Sequence, residues 1–588
     1  MYTIDSPPQF DRPPFIIFTL LRGDNTWKYL RQRPHHLGRA LASLGWPVVF
    51  IEAPSQEGSS KASITFRTIE QGLWLSPSWN QDSVTALLEQ LARLWPESPW
   101  LFTHPSWAPY LNGSFLADRL LVYDCIDDWE VFPGTPDQVK DWEIRLASTA
   151  DLVLASSMPL WVKMRRLNEN VEYISNAVNI ADYRVPLPES PELSHIPSPR
   201  LLFVGYVSEW VDLQLIDSVA RMRPEWSIIM VGPSEIPESR LPKRPNIHWM
   251  GKRPYVELPM FTRYCDVGLI PFKQGQLVWA VNPVKIHEYL ASGLPVVATL
   301  MPDLLLFNSP WVRVANGPDR FVSAIEEILA QTGRPAETLL RGSHTGTWLE
   351  KAQQIVEVVA SGGRERYGGS RTKLLQQYTA ALEGHWSDQG ASPGLMDMLT
   401  ETWYVGGQFE KVLEWGNPEL PVFGCALVRL GMYEQARQWL SDANVGAKAG
   451  DETLLPMMMD DDSVAAYVLQ VNGEFVESLR RMDSVDKPGP IHSLLGARAW
   501  HKIGFLEHAL AAYASLVEER AFALPTADYL ILGDIMRENG RMEEAEGAYL
   551  RAAERGSAEA ERRLADLYLE VAYRQAVQTV QSEGRDRA

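Results

Sequence analysis

The chain has 588 residues, 45% of them apolar, and is too long for one hydrophobic core, so about three or four globular domains are expected. Its net charge of −19 excludes a general nucleic-acid-binding protein, which needs a basic face to neutralise phosphates. Only three cysteines occur, and none forms a C-x-x-C pair, which excludes a disulfide framework and a cysteine-based zinc site.

The first part of the chain alternates between patterns typical of strands and of helices. A strand is predicted over residues 15–20, a helix over 33–44 that ends at Gly45, and a strand over 47–51. The same criteria predict a helix near 84–95 and further strands near residues 63–67, 100–103, 120–123, 151–156 and 171–176. This alternation predicts a doubly wound α/β domain over residues 1–184.

Several basic side chains lie near the carboxyl ends of these predicted strands, where open α/β sheets bind ligands. Arg33, His35 and His36 begin the first helix, and His104 follows the strand at 100–103. Adjacent histidines point to different helix faces and cannot readily chelate one metal, so a zinc site is rejected. The helix start is either a solvated basic segment or an acceptor or phosphate contact. His104 is either structural or a further acceptor-side candidate.

An acidic loop follows the strand predicted at 120–123, with three carboxylates in five residues, Asp124, Asp127 and Asp128. Like charges this close raise one another's pKa values or recruit a cation. Three interpretations compete: a metal-bridging D-x-D, whose strict spacing is absent; turn and helix-cap chemistry, which Asp favours; and a catalytic loop that faces a sugar or acceptor. The residues alone leave all three interpretations open.

The location follows from what the sequence lacks. No run of 18 apolar residues occurs, and residues 1–20 lack the basic and apolar segments of a signal peptide, so a cytoplasmic protein is expected. One predicted helix carries Trp161 with Lys163, Arg165 and Arg166, a pattern that could rest on anionic lipid. Peripheral contact with the inner membrane face is therefore kept as a further expectation.

A proline-rich segment separates the first domain from a second α/β domain. Residues 185–199 contain five prolines, which predicts an extended linker, and strand–helix alternation resumes over residues 200–362. Within it, residues 265–299 predict a strand, a loop with Gly275, a helix and a strand. Asn282 is predicted as the N-cap of this helix, and Pro283 as its first residue.

This helix carries the chemistry expected of the second domain. Its amino terminus offers unpaired N–H groups and a positive dipole end, which suit a phosphate, and Lys285 adds a positive charge in the first turn. Glu288, one turn further, could accept hydrogen bonds from two sugar hydroxyls. The alternative is an ordinary capped helix with an exposed Lys–Glu pair.

The stretch from Asn282, N-P-V-K-I-H-E-Y-L-A-S-G-L-P-V-V, resembles the nucleotide-binding signature of family-4-type retaining glycosyltransferases of the GT-B fold, in a teichuronic-acid-biosynthesis-like branch. The segments Q-R-P-H and Y-D-C-I-D-D-W resemble the same branch. The resemblance implies two Rossmann-like domains facing a cleft, a nucleotide-diphosphate sugar as co-substrate, no metal or other cofactor, and a glycan or lipid-linked acceptor. The donor contacts that it implies are Asn282, Pro283, Lys285, Glu288 and Gly205.

Two departures from the family pattern concern the donor site. Many relatives have a further Glu eight residues before the ribose-binding one, and here that position is Ala280. Wider relatives also hold the diphosphate with an Arg and a Lys near the position of Gly205, and both are absent here. Arg253 either compensates for them or is an exposed loop residue.

Beyond a connecting segment, 363–395, strand patterns disappear. Residues 396–588 repeat a glycine followed five residues later by a small residue or Val, at Gly407, Gly431, Gly473, Gly504 and Gly540. The pattern resembles tetratricopeptide-like helical hairpins, with a plain helical bundle as the alternative. Residues 401–588 contain 19 basic and 31 acidic side chains. Docking of a protein partner or self-association is the expected role.

Two functions of different classes follow. The first is a metal-independent glycosyltransferase in cell-surface polysaccharide or glycoconjugate synthesis, with Asp127, Asp128 and Lys285 as catalytic candidates. The second is a catalytically impaired GT-B scaffold whose repeats dock partner proteins, an alternative that Ala280 favours and that Lys285 and Glu288 oppose. A nucleotide-sugar isomerase would need its own histidine and carboxylate set, which the sequence lacks.

Overall fold

The computed structural model describes residues 3–4, 7–20, 32–53, 63–64, 66–76, 84–111, 116, 119–307, 309–335, 346–361, 368–389, 392–441, 459–485, 489–518 and 524–585. The chain divides into two compact units, Met1–Gly406 and Gly407–Ala588. The first unit contains the parallel sheets, and the part of the second unit that the structure describes is helical.

The first sheet has eight strands, and all adjacent pairs are parallel except β5–β6. Its strands are β2 (Phe15–Thr19), β3 (Val48–Glu52), β5 (Arg67–Glu70), β6 (Leu73–Leu75), β7 (Trp100–Phe102), β8 (Leu121–Cys125), β9 (Leu152–Ala155) and β10 (Val171–Tyr173), in the order β10-β9-β8-β7-β2-β3-β6-β5. A short separate pair joins β1 (Thr3–Ile4) to β4 (Ser63–Ile64). The central strands are buried along their whole length, because helices cover both faces of a parallel sheet.

The second sheet has six parallel strands. They are β11 (Arg200–Val204), β12 (Ser227–Val231), β13 (Ile247–Gly251), β14 (Val267–Ile270), β15 (Val296–Ala298) and β16 (Val312–Val314), in the order β13-β12-β11-β14-β15-β16. This is the Rossmann order, in which the chain reverses direction between β11 and β14 and leaves a ligand crevice at their carboxyl ends. The two Rossmann-like domains expected of the GT-B fold are therefore confirmed.

The helices of the first unit connect these strands or follow them. They are α1 (Arg33–Ser43), α2 (Val84–Leu94), α3 (Val139–Thr149), α4 (Met158–Arg165), α5 (Ile180–Arg184), α6 (Leu213–Met222), α7 (Pro259–Thr262), α8 (Gln276–Trp279), α9 (Val284–Ala291), α10 (Pro318–Leu329), α11 (Trp348–Ala360), α12 (Gly368–Gln389) and α13 (Pro393–Val405). Short 3₁₀ helices span Pro105–Tyr110, Glu238–Arg240, Tyr255–Glu257 and Pro302–Leu306.

The chain crosses between the two domains twice, and the crossings pair with each other. Val178 forms a parallel bridge to Thr347, immediately before α11. The sequence placed this helix in the second domain, but its apolar residues Trp348, Ala352 and Ile355 belong to the core of the first. The helix returns there because its apolar stripe packs against α1.

Helix α4 does not present the basic aromatic face expected of a membrane contact. Trp161 is buried and its indole donates a hydrogen bond to the carbonyl of Val171. The Lys163 ammonium lies 2.6 Å from Asp128 and 2.7 Å from Glu143. These groups serve the fold, because a buried ammonium needs carboxylate partners.

The boundary between the units lies after Gly406, eleven residues beyond the boundary at 395/396 that the sequence suggested. Helix α13 packs on α4 and α12, and Glu401 forms an ion pair of 3.2 Å with Arg166. Trp403 is buried and donates to Glu383, 2.8 Å away. The last helix of the first unit thus covers part of the α/β domains.

This packing gives a prediction on truncation. We expect a protein ending at Gly406 to fold, whereas one ending at residue 395 loses most of α13, and the loss of Trp403 alone is expected to remove about 3–5 kcal/mol of stability. Calorimetric unfolding of both truncated proteins checks this. Equal unfolding temperatures, or an insoluble protein of 406 residues, would contradict the boundary.

The second unit is built from consecutive helices. They are α14 (Phe409–Trp415), α15 (Pro421–Arg429), α16 (Tyr433–Ser441), α17 (Asp461–Val471), α18 (Phe475–Asp483), α19 (Pro490–Lys502), α20 (Leu506–Glu518), α21 (Thr526–Glu538), α22 (Met542–Ala553) and α23 (Ala558–Arg585). The five repeat glycines all have positive φ, between 71° and 87°, in the turns between helices. Their small partners are fully buried, at Val412, Ala436, Ser478, Ala509 and Ala545.

Two tyrosines that occupy the same position in the last two repeats make different contacts. Tyr513 and Tyr549, 36 residues apart, are both buried, yet Tyr513 donates to Asp528 in the following helix and Tyr549 to Asp534 in the preceding one. Both acceptors lie on α21. The tetratricopeptide-like assignment stays a prediction.

Candidate functional site

The carboxyl ends of the two sheets face each other. Residues just after β9 contact residues that follow β14 and β15: the Ser157 hydroxyl donates to the Ala280 carbonyl at 2.5 Å, and the Met158 N–H donates to Asp303 Oδ1 at 2.7 Å. The crevice between β11 and β14 opens toward this junction. This is the place where doubly wound sheets bind nucleotides.

Lys285 lies directly above Gly205, at the carboxyl end of β11. A Cβ atom on Gly205 would overlap the Lys285 side chain, with Nζ only 2.8 Å away, and Gly205 has a φ of +151° that other residues rarely adopt. Tyr289, one turn beyond Lys285 on α9, fixes this approach: its hydroxyl accepts from the Val204 N–H at 2.8 Å. Its ring also packs on Gly268, where a side chain would overlap it. Helix α9 is thus held against two strands by one tyrosine.

The Lys285 ammonium has no hydrogen bond or ion pair within the part of the chain that the structure describes. Its nearest aromatic neighbours are Phe272 and Phe203, with ring centroids at 5.4 and 5.9 Å. Burial lowers the pKa of Lys285, while the nearby Glu288 carboxylate acts in the opposite direction. A partly buried cation without a hydrogen-bonded anion is suited to a ligand that brings negative charge.

Glu288 lies on the same helix as Lys285 but is more deeply buried, with 8% of its surface exposed. Burial raises the pKa of its carboxyl, and interactions with the Tyr183 and Tyr255 hydroxyls and with Lys285 lower it. Tyr183 lies on α5, and Tyr255 follows β13, so two segments distant in sequence enclose this carboxylate. The structure therefore brings Lys285 and Glu288 together, as the helix spacing predicted, and surrounds Glu288 with tyrosines that the sequence did not indicate.

Asn282 is not the N-cap of the helix. Helix α9 begins at Val284 with Pro283 as its N-cap, and no side chain caps it. Asn282 is buried, with 2% exposed, and its amide nitrogen donates to Asp303 while its Oδ1 accepts from the Asn176 N–H at 3.2 Å. The predicted donor contact thus lies at the domain junction, because Asn176 of the first domain binds its Oδ1 and Asp303 of its own domain binds its amide nitrogen.

Arg253 forms an ion pair with Glu192, and its guanidinium carbon lies 5.9 Å from the Phe261 ring. Of the two interpretations offered for Arg253, this pairing favours a loop residue over a contact to the donor diphosphate. Ala280, at the position where many relatives have Glu, is buried, and its carbonyl accepts the hydrogen bond from Ser157. A carboxylate here would have to be accommodated at the junction of the two domains.

The acidic loop separates its three carboxylates. Asp124 is fully buried, and its carboxylate accepts hydrogen bonds of 2.8–3.0 Å from Nε and Nη2 of Arg33. Asp128 forms an ion pair with Lys163, whereas the Asp127 carboxylate has neither a hydrogen bond nor an ion pair among the described residues. Burial, and secondly the Asp128 charge, raise the pKa of Asp127 to about 7. Of the two catalytic candidates, Asp127 is the one left for a ligand.

The basic start of α1 is structural. The Arg33 guanidinium forms an ion pair with Asp124 and donates to the carbonyl of Ser175, 3.2 Å away. His35 accepts from the Gln32 N–H at 3.2 Å, and His36 stacks on Trp348 with ring centroids 5.0 Å apart. These three acceptor-side candidates are buried in the domain core, because they hold β8, β10 and α11 to the helix.

His104 caps the 3₁₀ helix that follows β7. Its Nδ1 accepts from the Ser106 N–H at 3.0 Å, and burial lowers its pKa to about 4. The ring lies 4.3 Å from that of Trp129, which follows the acidic loop. A neutral imidazole that accepts at Nδ1 carries its proton on Nε2, so His104 is both structural and able to donate one hydrogen bond.

Sequence patterns missed several residues at this junction. Asp303 is fully buried and accepts from Met158, Tyr173 and Asn282. No short motif marks it, because its partners lie 21 to 145 residues away. The same holds for Tyr183 and Tyr255, whose only signal is their position after predicted secondary-structure elements.

The described residues contain no group of three or more His, Cys, Asp and Glu side chains placed to hold a metal ion. No helix among them combines the length and the apolar character that crossing a bilayer requires.

Residues 198–355 match the family model for glycosyl transferases group 1. A provisionally assigned teichuronic acid biosynthesis glycosyltransferase, TuaH of Bacillus subtilis (strain 168), is 28% identical over 254 residues, which cover 40% of this chain and 64% of that protein. The chain therefore spans less than two thirds of this relative. The family match falls mainly on the second domain.

Solved structures are also similar to this chain. HepE of Anabaena in complex with UDP is 18% identical, with 59% of this chain and 100% of that chain covered and a TM-score of 0.43. A UDP-forming α,α-trehalose-phosphate synthase of Burkholderia vietnamiensis is 12% identical, with 60% and 98% covered and a TM-score of 0.44.

Proposed function

We propose that this protein transfers a sugar from a nucleotide-diphosphate sugar to a glycan or lipid-linked acceptor, with retention and without a metal. The observation that carries the proposal is the partly buried, unpaired Lys285 ammonium above Gly205, at the mouth of the Rossmann crevice. The match of residues 198–355 to group 1 glycosyltransferases supports it. Similarity to TuaH supports a role in cell-surface polysaccharide synthesis.

The donor would lie with its diphosphate at the start of α9. There, Lys285 and the N–H groups of the first helical turn stabilise the negative charge that grows on the leaving diphosphate. This stabilisation is larger in the transition state than in the bound substrate, so it raises turnover as well as affinity. Glu288, in the next turn, accepts hydrogen bonds from the ribose hydroxyls.

The acceptor side belongs to the first domain. Asp127, at the carboxyl end of β8, is a carboxylate without a partner in the described part of the chain, and it accepts a hydrogen bond from a sugar or acceptor hydroxyl. Its raised pKa lets it hold or release a proton near neutral pH. His104 provides a donor at the end of the neighbouring strand β7. The transition state is oxocarbenium-like, and no protein nucleophile is assigned.

The test is the release of nucleoside diphosphate. Native protein is incubated with UDP-, GDP-, ADP- and dTDP-linked sugars, with and without glycan and lipid-linked acceptors, and free nucleoside diphosphate is measured. Release from one donor is the expected result. If the protein releases none but its helical repeats bind protein partners, the impaired GT-B scaffold, which Ala280 favours, replaces the proposal.

A prediction on Glu288 tests the ribose contact. We expect Glu288→Gln to cost about 1.5–3 kcal/mol in nucleoside diphosphate affinity, because a charged acceptor is lost. Calorimetric titration checks this, with the 2′-deoxy nucleotide as control. The substitution should lower the affinity for the 2′-deoxy nucleotide much less than the affinity for the ribonucleotide. Equal losses for both would show that Glu288 supports the fold through its tyrosines only.

A further inference from the structure

The residues that lead into α9 are held by the other domain. Asn176, which follows β10 of the first sheet, contacts Asn282 twice: its side-chain amide donates to the Asn282 carbonyl at 2.6 Å, and its N–H donates to Asn282 Oδ1 at 3.2 Å. Ser157, after β9, reaches the carbonyl of Ala280. Three contacts from the first domain thus converge on the four residues before the helix.

Asp303, in the 3₁₀ helix after β15, is the other hydrogen-bond partner of Asn282. Its Oδ1 accepts from the Met158 N–H, and its Oδ2 accepts from the Tyr173 hydroxyl at 3.1 Å and from the Asn282 amide. Met158 and Tyr173 belong to the first domain, and Asp303 and Asn282 to the second. A fully buried carboxylate therefore joins the two domains.

The direction of each hydrogen bond in this group is fixed. A backbone N–H can only donate, so Asn282 Oδ1 faces Asn176, and the amide nitrogen must then donate to Asp303. His287 Nε2 lies 3.1 Å from the same Oδ1 and must donate as well. Turning the Asn282 amide over would place N–H against N–H at Asn176, with a buried donor unsatisfied.

The start of helix α9 has no side-chain cap, although Ile286 in its first turn is buried in the core of the second domain. The helix has eight residues, its N-cap is Pro283, and Tyr289 holds only its later turn. Lys285 lies in the first turn, three residues after Asn282. The placement of its ammonium above Gly205 therefore depends on the interdomain contacts of Asn282.

We propose that Asn282 and Asp303 are positioning residues, through which the first domain fixes the start of α9 and the Lys285 ammonium for the diphosphate of the donor. This inference rests on the proposed function. It replaces the direct donor contact expected of Asn282. A shift of the helix start moves Lys285 and weakens diphosphate binding and turnover, whereas the nucleoside, bound further along the helix, is unaffected.

The test exchanges the two partners. Asn282→Asp sets two carboxylates against each other, and Asp303→Asn sets two amide groups against each other, whereas the double variant again provides one donor and one acceptor. Titration with inorganic pyrophosphate and with UDP, GDP, ADP and dTDP measures the charge site. We expect each single variant to lose roughly ten-fold or more in pyrophosphate affinity and kcat, and the double variant to recover most of it.

Two further variants separate positioning from loss of folding. Ser292→Ala removes a hydrogen bond of 2.7 Å to Thr262 at the other end of the same helix, within its own domain, and should leave pyrophosphate affinity unchanged. Asn176→Ala removes the side-chain hydrogen bond of 2.6 Å to the Asn282 carbonyl and should weaken pyrophosphate binding even where the Asn282 and Asp303 variants are insoluble. Unfolding temperatures are measured for all.

Several results would overturn the inference. Native affinity for pyrophosphate in the folded single variants, or in Asn176→Ala, shows that Lys285 is placed without these contacts. A double variant as weak as the single variants shows that the pairing is not what matters. If native protein binds neither pyrophosphate nor any of the four nucleotides, the proposed function itself fails, which is a different outcome.

Discussion

Replacing Lys285 by Ala is expected to lower the affinity for a nucleoside diphosphate by about 3 kcal/mol, on the order of 100-fold, while the affinity for the nucleoside stays the same. Turnover should fall as well, because the charge on the leaving diphosphate grows in the transition state. Titration with nucleoside, monophosphate and diphosphate gives the pattern. Equal, small losses for all three ligands would mean an ordinary capped helix.

Matched variants make this prediction specific to the position of the ammonium. Lys273→Ala removes a lysine whose side chain is 50% exposed, in the loop after β14, and should change little. Gly205→Ala keeps the charge but places a Cβ where the Lys285 stem lies. Gly205→Ala should therefore lower the affinity for the nucleoside diphosphate, as Lys285→Ala does. An unaffected Gly205→Ala would contradict the close approach of these two residues.

Asp127→Asn is expected to lower kcat by about 100-fold, whereas Asp128→Asn mainly lowers stability, because it removes one partner of the buried Lys163 ammonium. The pKa of Asp127 is raised to about 7, so kcat of the native enzyme should rise with pH through that value as the carboxylate ionises. Asp127→Asn should remove this rise. The pH–rate profiles of both variants check it.

Stability gives an independent readout of the same group. A carboxyl whose pKa is raised on folding binds its proton more tightly in the folded state, so its contribution to stability falls as pH rises toward about 7. Asp127→Asn should therefore be at least as stable as native protein at pH 8, although it is less active. A variant destabilised at pH 8 would show that Asp127 has a structural partner.

The fold followed from patterns that are local in sequence. Short apolar runs separated by amphipathic helices predict parallel sheets, and the strand order confirmed two Rossmann-like domains. Lys285 and Glu288 were found together for the same reason, because residues three apart on a helix neighbour each other wherever the helix lies. The repeat glycines likewise lie in turns, where φ is positive.

Other assignments depended on which distant residues meet, and local patterns do not contain this information. Arg33 was an acceptor candidate until the sheet placed it on Asp124, 91 residues away. Asp127 and Asp128 are equivalent in sequence, and only the packing of α4, with Lys163, decides which is paired. Helix α11 follows the second domain in sequence but joins the first, because that core receives its apolar face.

The sequence by itself thus determined most of the central strands and helices, the order of the two α/β domains, the helical character of the end of the chain and the charged helix of the donor site. Each of these follows from the periodicity of neighbouring residues. Only the tertiary structure decided that Asn282 belongs to a domain junction, that Tyr183 and Tyr255 enclose Glu288, and that Asp127 has no hydrogen-bond or ion-pair partner among the residues described. A buried polar group must find its partner wherever the chain provides one, and that partner is set by the packing of the domains.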